Sequence, residues 1–168
     1  REYLCITQDG SCEGLVNPEI KKVRSVSDVY KVLAESSAEC WWMFGEGKIN
    51  YVAKDATHNN YCSICDQVLF DDSLAKIPGL DSGEINKNSF YKYMSENNLP
   101  DKKITYSQYL YGVDSLGELK EISDEQLDID GNFGKIDLGK QYFIITGITS
   151  ETSFAKWAIG GIAKGSIF

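Results

Sequence analysis

The sequence predicts an α+β fold, in which a long N-terminal helix and shorter helices pack on a small antiparallel sheet. Apolar residues recur at helical spacing after Ser25 and again after Asn86, whereas the segments around Cys62 and before Ile148 have the composition of strands. The order helix, strands, helices, strand is typical of α+β proteins. The 168 residues suit a single domain spanning 1–168 with a normal core.

The first elements are a strand and a long helix. Residues 3–7 predict a short strand that ends before the turn at Asp9-Gly10. The triplet Asn17-Pro18-Glu19 has the composition of a helix start, since Asn can cap and Pro suits the first helical position.

A second helix start lies at Ser25, with Asp28 at capping-box spacing. Apolar residues then recur at helical spacing, which predicts a helix over 26–44, and the earlier start allows it to be continuous with a segment from Pro18. Gly45 and Gly47 supply the left-handed stop.

The remaining elements are shorter. We expect two strands joined by a turn at 57–60, a capped helical turn in DDSLAKI, and a helix that opens at Asn86 or Asn88. The segment ITYSQYLYG is a strand or a short helix, with helical spacing the better fit. The strongest strand of the chain is predicted over 141–148.

The charge balance excludes one class of partner. The chain has 17 basic and 25 acidic residues, a formal net charge of −8. Binding to nucleic acid needs a clustered basic face, which this sequence lacks, so no nucleic-acid partner is expected. No run of about 20 apolar residues is present, hence no membrane span. The chain starts at Arg1 rather than Met, which suggests a processed or trimmed form.

The cysteines are the clearest candidates for a site. All five lie in the first 65 residues: Cys5, Cys12, Cys40, Cys62 and Cys65. We favour structural disulfides, with Cys5 joined to Cys12 and Cys40 joined to Cys62 or Cys65. Such bridges imply an oxidising compartment outside the cytoplasm. The odd number leaves one thiol over.

Two alternatives use the Cys-x-x-Cys of Cys62 and Cys65. Structural zinc needs four ligands, and Cys40, Cys62 and Cys65 with His58 or Cys12 could supply them, although a second pair is missing. A thiol oxidoreductase would need the motif at the start of a helix, where the dipole lowers the thiol pKa. The acidic, strand-like residues that follow Cys65 make this the least favoured hypothesis. If the cysteines form structural disulfides, as we favour, we expect no cofactor.

The aromatic run Trp41-Trp42-Met43-Phe44 could be a recognition patch. Successive helix residues point about 100° apart, so four in a row cannot share one face. Either protein surrounds the helix end, or part of the run is exposed, with Trp41 and Trp42 available to a partner. We expect core packing, because aromatic side chains are mostly buried.

Other catalytic arrangements have little support. His58 is the only histidine, and it lies in a polar segment. Several acids, namely Glu39, Glu46, Asp71 and Asp72, lie near the cysteines in sequence, but no spacing selects a catalytic pair. The sequence contains no glycine-rich nucleotide-binding motif.

The motif order CWWMFGEGK, YCSICDQVLFDD, FYKYM and ITYSQYLYG resembles that of a group of uncharacterised archaeal membrane-anchored proteins. The shared positions are Cys40, Trp41, Phe44, Gly45, Glu46, Gly47, Lys48, Cys62, Cys65, Phe70, Asp71 and Asp72. The resemblance covers about half of the chain, from Ala38 to Gly112. The resemblance implies no particular activity, because none is attached to this group of proteins.

The resemblance implies an extracytoplasmic domain at the cell surface, anchored to the membrane through a segment outside this chain. It also implies that Cys40, Cys62 and Cys65 belong together. Together with the cysteines, it leads us to expect a non-enzymatic, disulfide-braced ectodomain with an interaction or envelope-structural role and an unidentified protein or envelope partner.

Overall fold

The computed structural model describes residues 2–47, 61–115, 117–118 and 133–148. Within them the fold is α+β, as predicted. The strands are β1 (Glu2–Thr7), β2 (Glu19–Lys22), β3 (Tyr61–Phe70), β4 (Glu84–Asn86), β5 (Lys135–Asp137) and β6 (Tyr142–Ile148). The helices are α1 (Val26–Met43), α2 (Lys87–Glu96) and α3 (Tyr106–Tyr111), with 3-10 helices at Gly45–Gly47 and Asp72–Lys76.

The main sheet is mixed, so the prediction of an antiparallel sheet is wrong. Its strand order is β2-β1-β3-β6, in which β1 is parallel to both β2 and β3, and only β6 runs antiparallel to its neighbour. The connection from β2 to β3 passes through α1, and a helical crossover of this kind returns the chain in the same direction. A separate antiparallel pair is formed by β4 and β5.

Residues 19–22 form a strand, so the predicted helix start at Pro18 is wrong. Asn17 takes a left-handed conformation with φ 52°, and β2 then pairs with β1 from Leu4 opposite Glu19 to Thr7 opposite Lys22. This pairing joins residues distant in sequence and overrides the local helix signal. The helix begins instead at Val26, where the side chain of Ser25 accepts a hydrogen bond from the backbone of Asp28 at 3.1 Å.

The core lies between the sheet and the helices. Leu4 and Ile6 of β1 and Val68 of β3 are fully buried, as are Val29 and Leu33 of α1. Aromatic rings extend this core beneath α2, where the ring centroids of Tyr91 and Phe133 are 4.6 Å apart. The buried residues Val29 and Leu33 hold the inner face of α1 against this core.

The other predicted elements are observed where the structure describes the chain. Asp71 caps the 3-10 helix, Asn86 caps α2, and ITYSQYLYG contains a helix, α3, that opens with a complete capping box. The expected strand and turn between 48 and 60 lie outside the described residues. None of the helices in the described part of the chain is both long and apolar enough to cross a membrane.

Candidate functional site

The first disulfide joins Cys5 to Cys12, with Cα atoms 6.4 Å apart. Cys5 lies in β1 and is buried, while Cys12 follows the turn at Asp9-Gly10. The bond therefore closes the loop that leaves β1 toward β2, which is the pairing predicted from the sequence.

The second disulfide joins Cys40 of α1 to Cys65 of β3, with Cα atoms 5.8 Å apart. The pairing of β3 with β6 shifts in register between Ile64 and Asp66, which marks an irregularity at Cys65. Of the two partners left open for Cys40, the structure selects Cys65. The side chain of Cys62 lies outside the described residues.

This pairing bears on the two alternative uses of the Cys-x-x-Cys motif. Zinc takes thiolates, so Cys40 and Cys65 could bind it only after their disulfide is reduced. Among residues 2–47, 61–115, 117–118 and 133–148, no group of three or more His, Cys, Asp and Glu is arranged to hold a metal ion. His58 lies outside these ranges. A redox pair of Cys62 and Cys65 would likewise require exchange with Cys40.

The aromatic run at the end of α1 is only partly buried. Cys40 is fully buried, and Trp41 and Phe44 are half-buried. In contrast, Trp42 is 67% exposed and Met43 is 58% exposed, so the expectation of core packing is wrong for these two residues. The reason is geometric: the disulfide turns Cys40 toward the sheet, and residues two and three positions later point elsewhere.

A groove of about 320 Å³ lies beside Trp42. We call it the α1–α3 groove. It is bounded by α1, by the segment from Leu99 to Lys102 and by α3; its lining consists of Glu35, Ala38, Glu39, Trp42, Leu99, Pro100, Lys102, Tyr106 and Tyr109. One exposed indole, two tyrosines and several apolar side chains thus share a cleft with carboxylates.

Two tyrosines of α3 line this groove. Tyr106 is buried, and burial, reinforced by the negative charge of Glu35, raises its pKa to about 12. The hydroxyl of Tyr109 donates a hydrogen bond to Oε1 of Glu46 at 2.7 Å. Burial, and then this bond, raise the pKa of Tyr109 well above its ordinary value. Both phenols therefore remain protonated at neutral pH.

Lys102 is the basic residue in the lining of the groove. Its Nζ lies 3.5 Å from Oε1 of Glu46 and 4.4 Å from the ring centroid of Tyr109. A cation at this distance from a ring face is attracted by the ring quadrupole. One ammonium group is thus held between a carboxylate and an aromatic ring.

Two further carboxylates belong to α1. Nζ of Lys31 lies 3.9 Å from Oε1 of Glu35, a long contact on an exposed helix surface. Glu39 is exposed and has no ion-pair partner within 4 Å in the described part of the chain. Glu35, Glu39 and Trp42 have the spacing i, i+4, i+7, which places them on one helix face.

A polar cluster lies at the opposite end of the sheet, where the parallel strands β1 and β3 end. Oδ1 of Asp71 lies 3.3 Å from Oγ1 of Thr7, and Oδ1 of Asp9 accepts hydrogen bonds from the hydroxyl of Ser11 at 2.6 Å and its backbone at 2.9 Å. The hydroxyl of Ser73 lies 3.1 Å from that of Thr7 and accepts from the backbone of Gln8 at 2.9 Å. These bonds connect the loop after β1 to the 3-10 helix at Asp72–Lys76.

Comparison of the chain with protein-family models, with curated proteins and with solved structures returned no match.

Sequence reasoning favoured core packing for Trp41 and Trp42, gave a partner surface as the alternative, and did not identify the groove. The i, i+4, i+7 spacing of Glu35, Glu39 and Trp42 is present in the sequence and would have predicted that they share one helix face. The contribution of Tyr106 and Tyr109 could not be read in this way, because it depends on the packing of α3 against α1.

Proposed function

We propose that the chain is a non-enzymatic, disulfide-braced interaction domain that binds a partner at the α1–α3 groove. The observation that carries this proposal is the exposure of Trp42 at the rim of the groove. A large aromatic side chain is costly to leave in water, and Trp and Tyr are enriched at the centres of protein interfaces. The disulfide between Cys40 and Cys65 holds α1, one wall of the groove, to the sheet before a partner arrives.

The proposed location is outside the cytoplasm, at the cell surface, in a protein anchored to the membrane through a segment outside this chain. Two disulfides fit an oxidising compartment, since thiols are kept reduced in most cytoplasms. The resemblance in motif order supports the same location and the anchor. The partner would then be another surface or envelope component.

A crosslinking experiment tests the interaction. Trp42 is replaced by the photoreactive residue p-benzoylphenylalanine in the cells that produce the protein, and the cells are irradiated. The matched control carries the same residue at Val16, which is 79% exposed in the loop between β1 and β2. We expect a discrete adduct at position 42 only; no adduct, or the same adducts at both positions, would contradict the proposal.

The oxidation state of the cysteines tests the two disulfides against the zinc site and the thiol oxidoreductase. Mass spectrometry of the isolated protein is expected to find Cys5 joined to Cys12 and Cys40 joined to Cys65. Free thiols with one equivalent of zinc would favour the metal site of Cys40, His58, Cys62 and Cys65 instead. Insulin reduction above the buffer rate, abolished by a Cys62→Ser substitution, would favour a thiol oxidoreductase.

A further inference from the structure

The α1–α3 groove combines an apolar lining with carboxylates on one wall. Leu99, Pro100 and the face of Trp42 offer apolar contact, whereas Glu35 and Glu39 supply negative charge from α1. A ligand that matches both features has an apolar stem and a cationic tip. Lysine and arginine side chains have this construction, since their methylene stems lie on apolar surface while the charge stays near solvent.

The groove already holds one cation in this manner. Nζ of Lys102 lies over the ring of Tyr109 and close to Glu46, at 4.4 and 3.5 Å respectively. These contacts show that an aromatic ring of this groove and the neighbouring carboxylate of Glu46 are spaced to receive an ammonium group. Trp42 and Glu39, both exposed, present the same two chemical groups, an aromatic face and a carboxylate, from α1.

Within the described part of the chain Glu39 makes no ion pair with the basic side chains around it, although Lys21 interacts with it electrostatically at longer range. Nζ of Lys21 is 2.7 Å from Glu19, Nζ of Lys31 is 3.9 Å from Glu35, and Lys102 is paired with Glu46. The net charge of −8 adds a long-range attraction for a positively charged partner.

From these contacts we infer that the partner bound at the α1–α3 groove is a basic polypeptide segment, with a lysine or arginine side chain seated between Trp42 and Glu39. This inference rests on the proposed function and specifies the chemistry of the partner. The ammonium or guanidinium group meets Glu39, with Glu35 behind it, and the stem lies along Trp42 and Pro100.

The test titrates the full chain with a short acetylated peptide of alternating lysine and alanine, followed by calorimetry. The matched probe carries glutamate in place of lysine. We expect the basic peptide to bind, the acidic peptide not to bind, and the dissociation constant to rise with salt, because the contacts are electrostatic and exposed.

Substitutions in the groove locate the binding. We expect Glu39→Gln to weaken the basic peptide about two- to fivefold, as for an exposed ion pair, and Trp42→Ala to weaken it about three- to tenfold through lost stacking. Glu96→Gln is the matched control: it removes one exposed carboxylate from α2, outside the groove, and should leave the dissociation constant within about twofold. Circular dichroism establishes that each variant is folded.

Four outcomes would overturn the inference: no binding of the basic peptide, equal binding of the acidic one, an equal loss in Glu96→Gln, or self-association of the chain that Trp42→Ala abolishes. The last would identify a second copy as the occupant. A discrete crosslink at position 42 without peptide binding would overturn this inference alone and leave the proposed function standing.

Discussion

Asp71 follows the last residue of β3 and holds two segments of the chain together. Its Oδ1 accepts a hydrogen bond from the backbone of Ser73 at 3.0 Å, which caps the 3-10 helix, and lies 3.3 Å from the hydroxyl of Thr7 and 3.2 Å from that of Ser11. The cap can be read from the sequence, because an Asp precedes a short apolar helix. The contacts to Thr7 and Ser11 cannot, because they depend on the parallel pairing of β1 with β3.

Replacing Asp71 tests this arrangement. We expect Asp71→Ala to lower the free energy of unfolding by about 1–2 kcal/mol, since it removes the cap of the 3-10 helix and one of the acceptors of the buried Thr7 hydroxyl. Asp72→Ala is the control, because Asp72 is exposed and its carboxylate receives no hydrogen bond from the described residues. Its effect should stay within about 0.5 kcal/mol. Equal losses in urea denaturation would show that Asp71 does not tie the two loops.

The same cluster makes stability depend on pH. Hydrogen bonds from the side chain and backbone of Ser11 lower the pKa of Asp9 from 3.8 to about 2. Burial raises the pKa of Asp71, but hydrogen bonds from Ser73, Ser11 and Thr7 outweigh it and leave that pKa below 3.8. In acid the unfolded chain therefore binds protons more readily than the folded one.

The stabilising contribution is thus complete above about pH 4 and is lost as the pH falls toward about 2. We expect the free energy of unfolding to decline across this window in the unmodified protein and to decline less in Asp9→Asn, which has no carboxyl at that position. Denaturation curves at several pH values measure both slopes. An equal decline in the two proteins would rule out a role for the Asp9 carboxylate.

At the scale of elements, α1 shows what local signals can and cannot specify. Its start at Val26 follows from the cap at Ser25, and Gly45, with φ 76°, follows its end where the left-handed stop is expected. The two residues exposed near its end, Trp42 and Met43, could not be predicted from hydrophobicity. Their exposure follows from the disulfide at Cys40, which fixes the rotation of the last turns.

The two disulfides are expected to differ in their contribution to stability. Cys40 and Cys65 are 25 residues apart in sequence, and Cys5 and Cys12 are 7 apart. In the chain-entropy model the disulfide that closes the longer loop stabilises the protein more. The expected contribution is about 3–4 kcal/mol for Cys40–Cys65 and about 2 kcal/mol for Cys5–Cys12.

Replacing both cysteines of a pair by alanine tests this order, because it removes the bond without leaving a thiol. The Cys40→Ala/Cys65→Ala protein should unfold at lower urea concentration than the Cys5→Ala/Cys12→Ala protein. Each variant is the control for the other, because both replace two cysteines by alanine and so remove the same atoms and one disulfide. The reverse order would show that native packing, and not loop length, governs the effect.

At the scale of the whole molecule, the fold class is predictable and the strand directions are not. The composition of β3 identifies a strand, but its direction is set by the connection through α1 and by pairing with β1, which residue patterns do not encode. One face of the sheet packs on α1. On the other, Tyr3 and Ile20 are 40% and 45% exposed. Parallel strands usually have both faces covered, and here the second face is covered at Cys5 but open at Tyr3 and Ile20.

Reduction is expected to weaken the entire domain. Loss of both disulfides should remove about 5–6 kcal/mol, which corresponds to a fall in Tm of about 10–20 °C for a domain of this size. Calorimetry with and without reductant measures the shift. Zinc added to the reduced protein serves as a further arm: an unchanged low Tm is expected, whereas recovery with one equivalent would support the ligand set that includes His58.

The bond between Cys40 and Cys65 also changes what a protease can do to the molecule. It closes a covalent ring of backbone from the last turns of α1 to the middle of β3. A peptide bond cut anywhere between these cysteines leaves two polypeptides that remain joined. The groove-bearing helix would stay attached to its sheet in a nicked protein, and the two pieces would separate on a gel only after reduction.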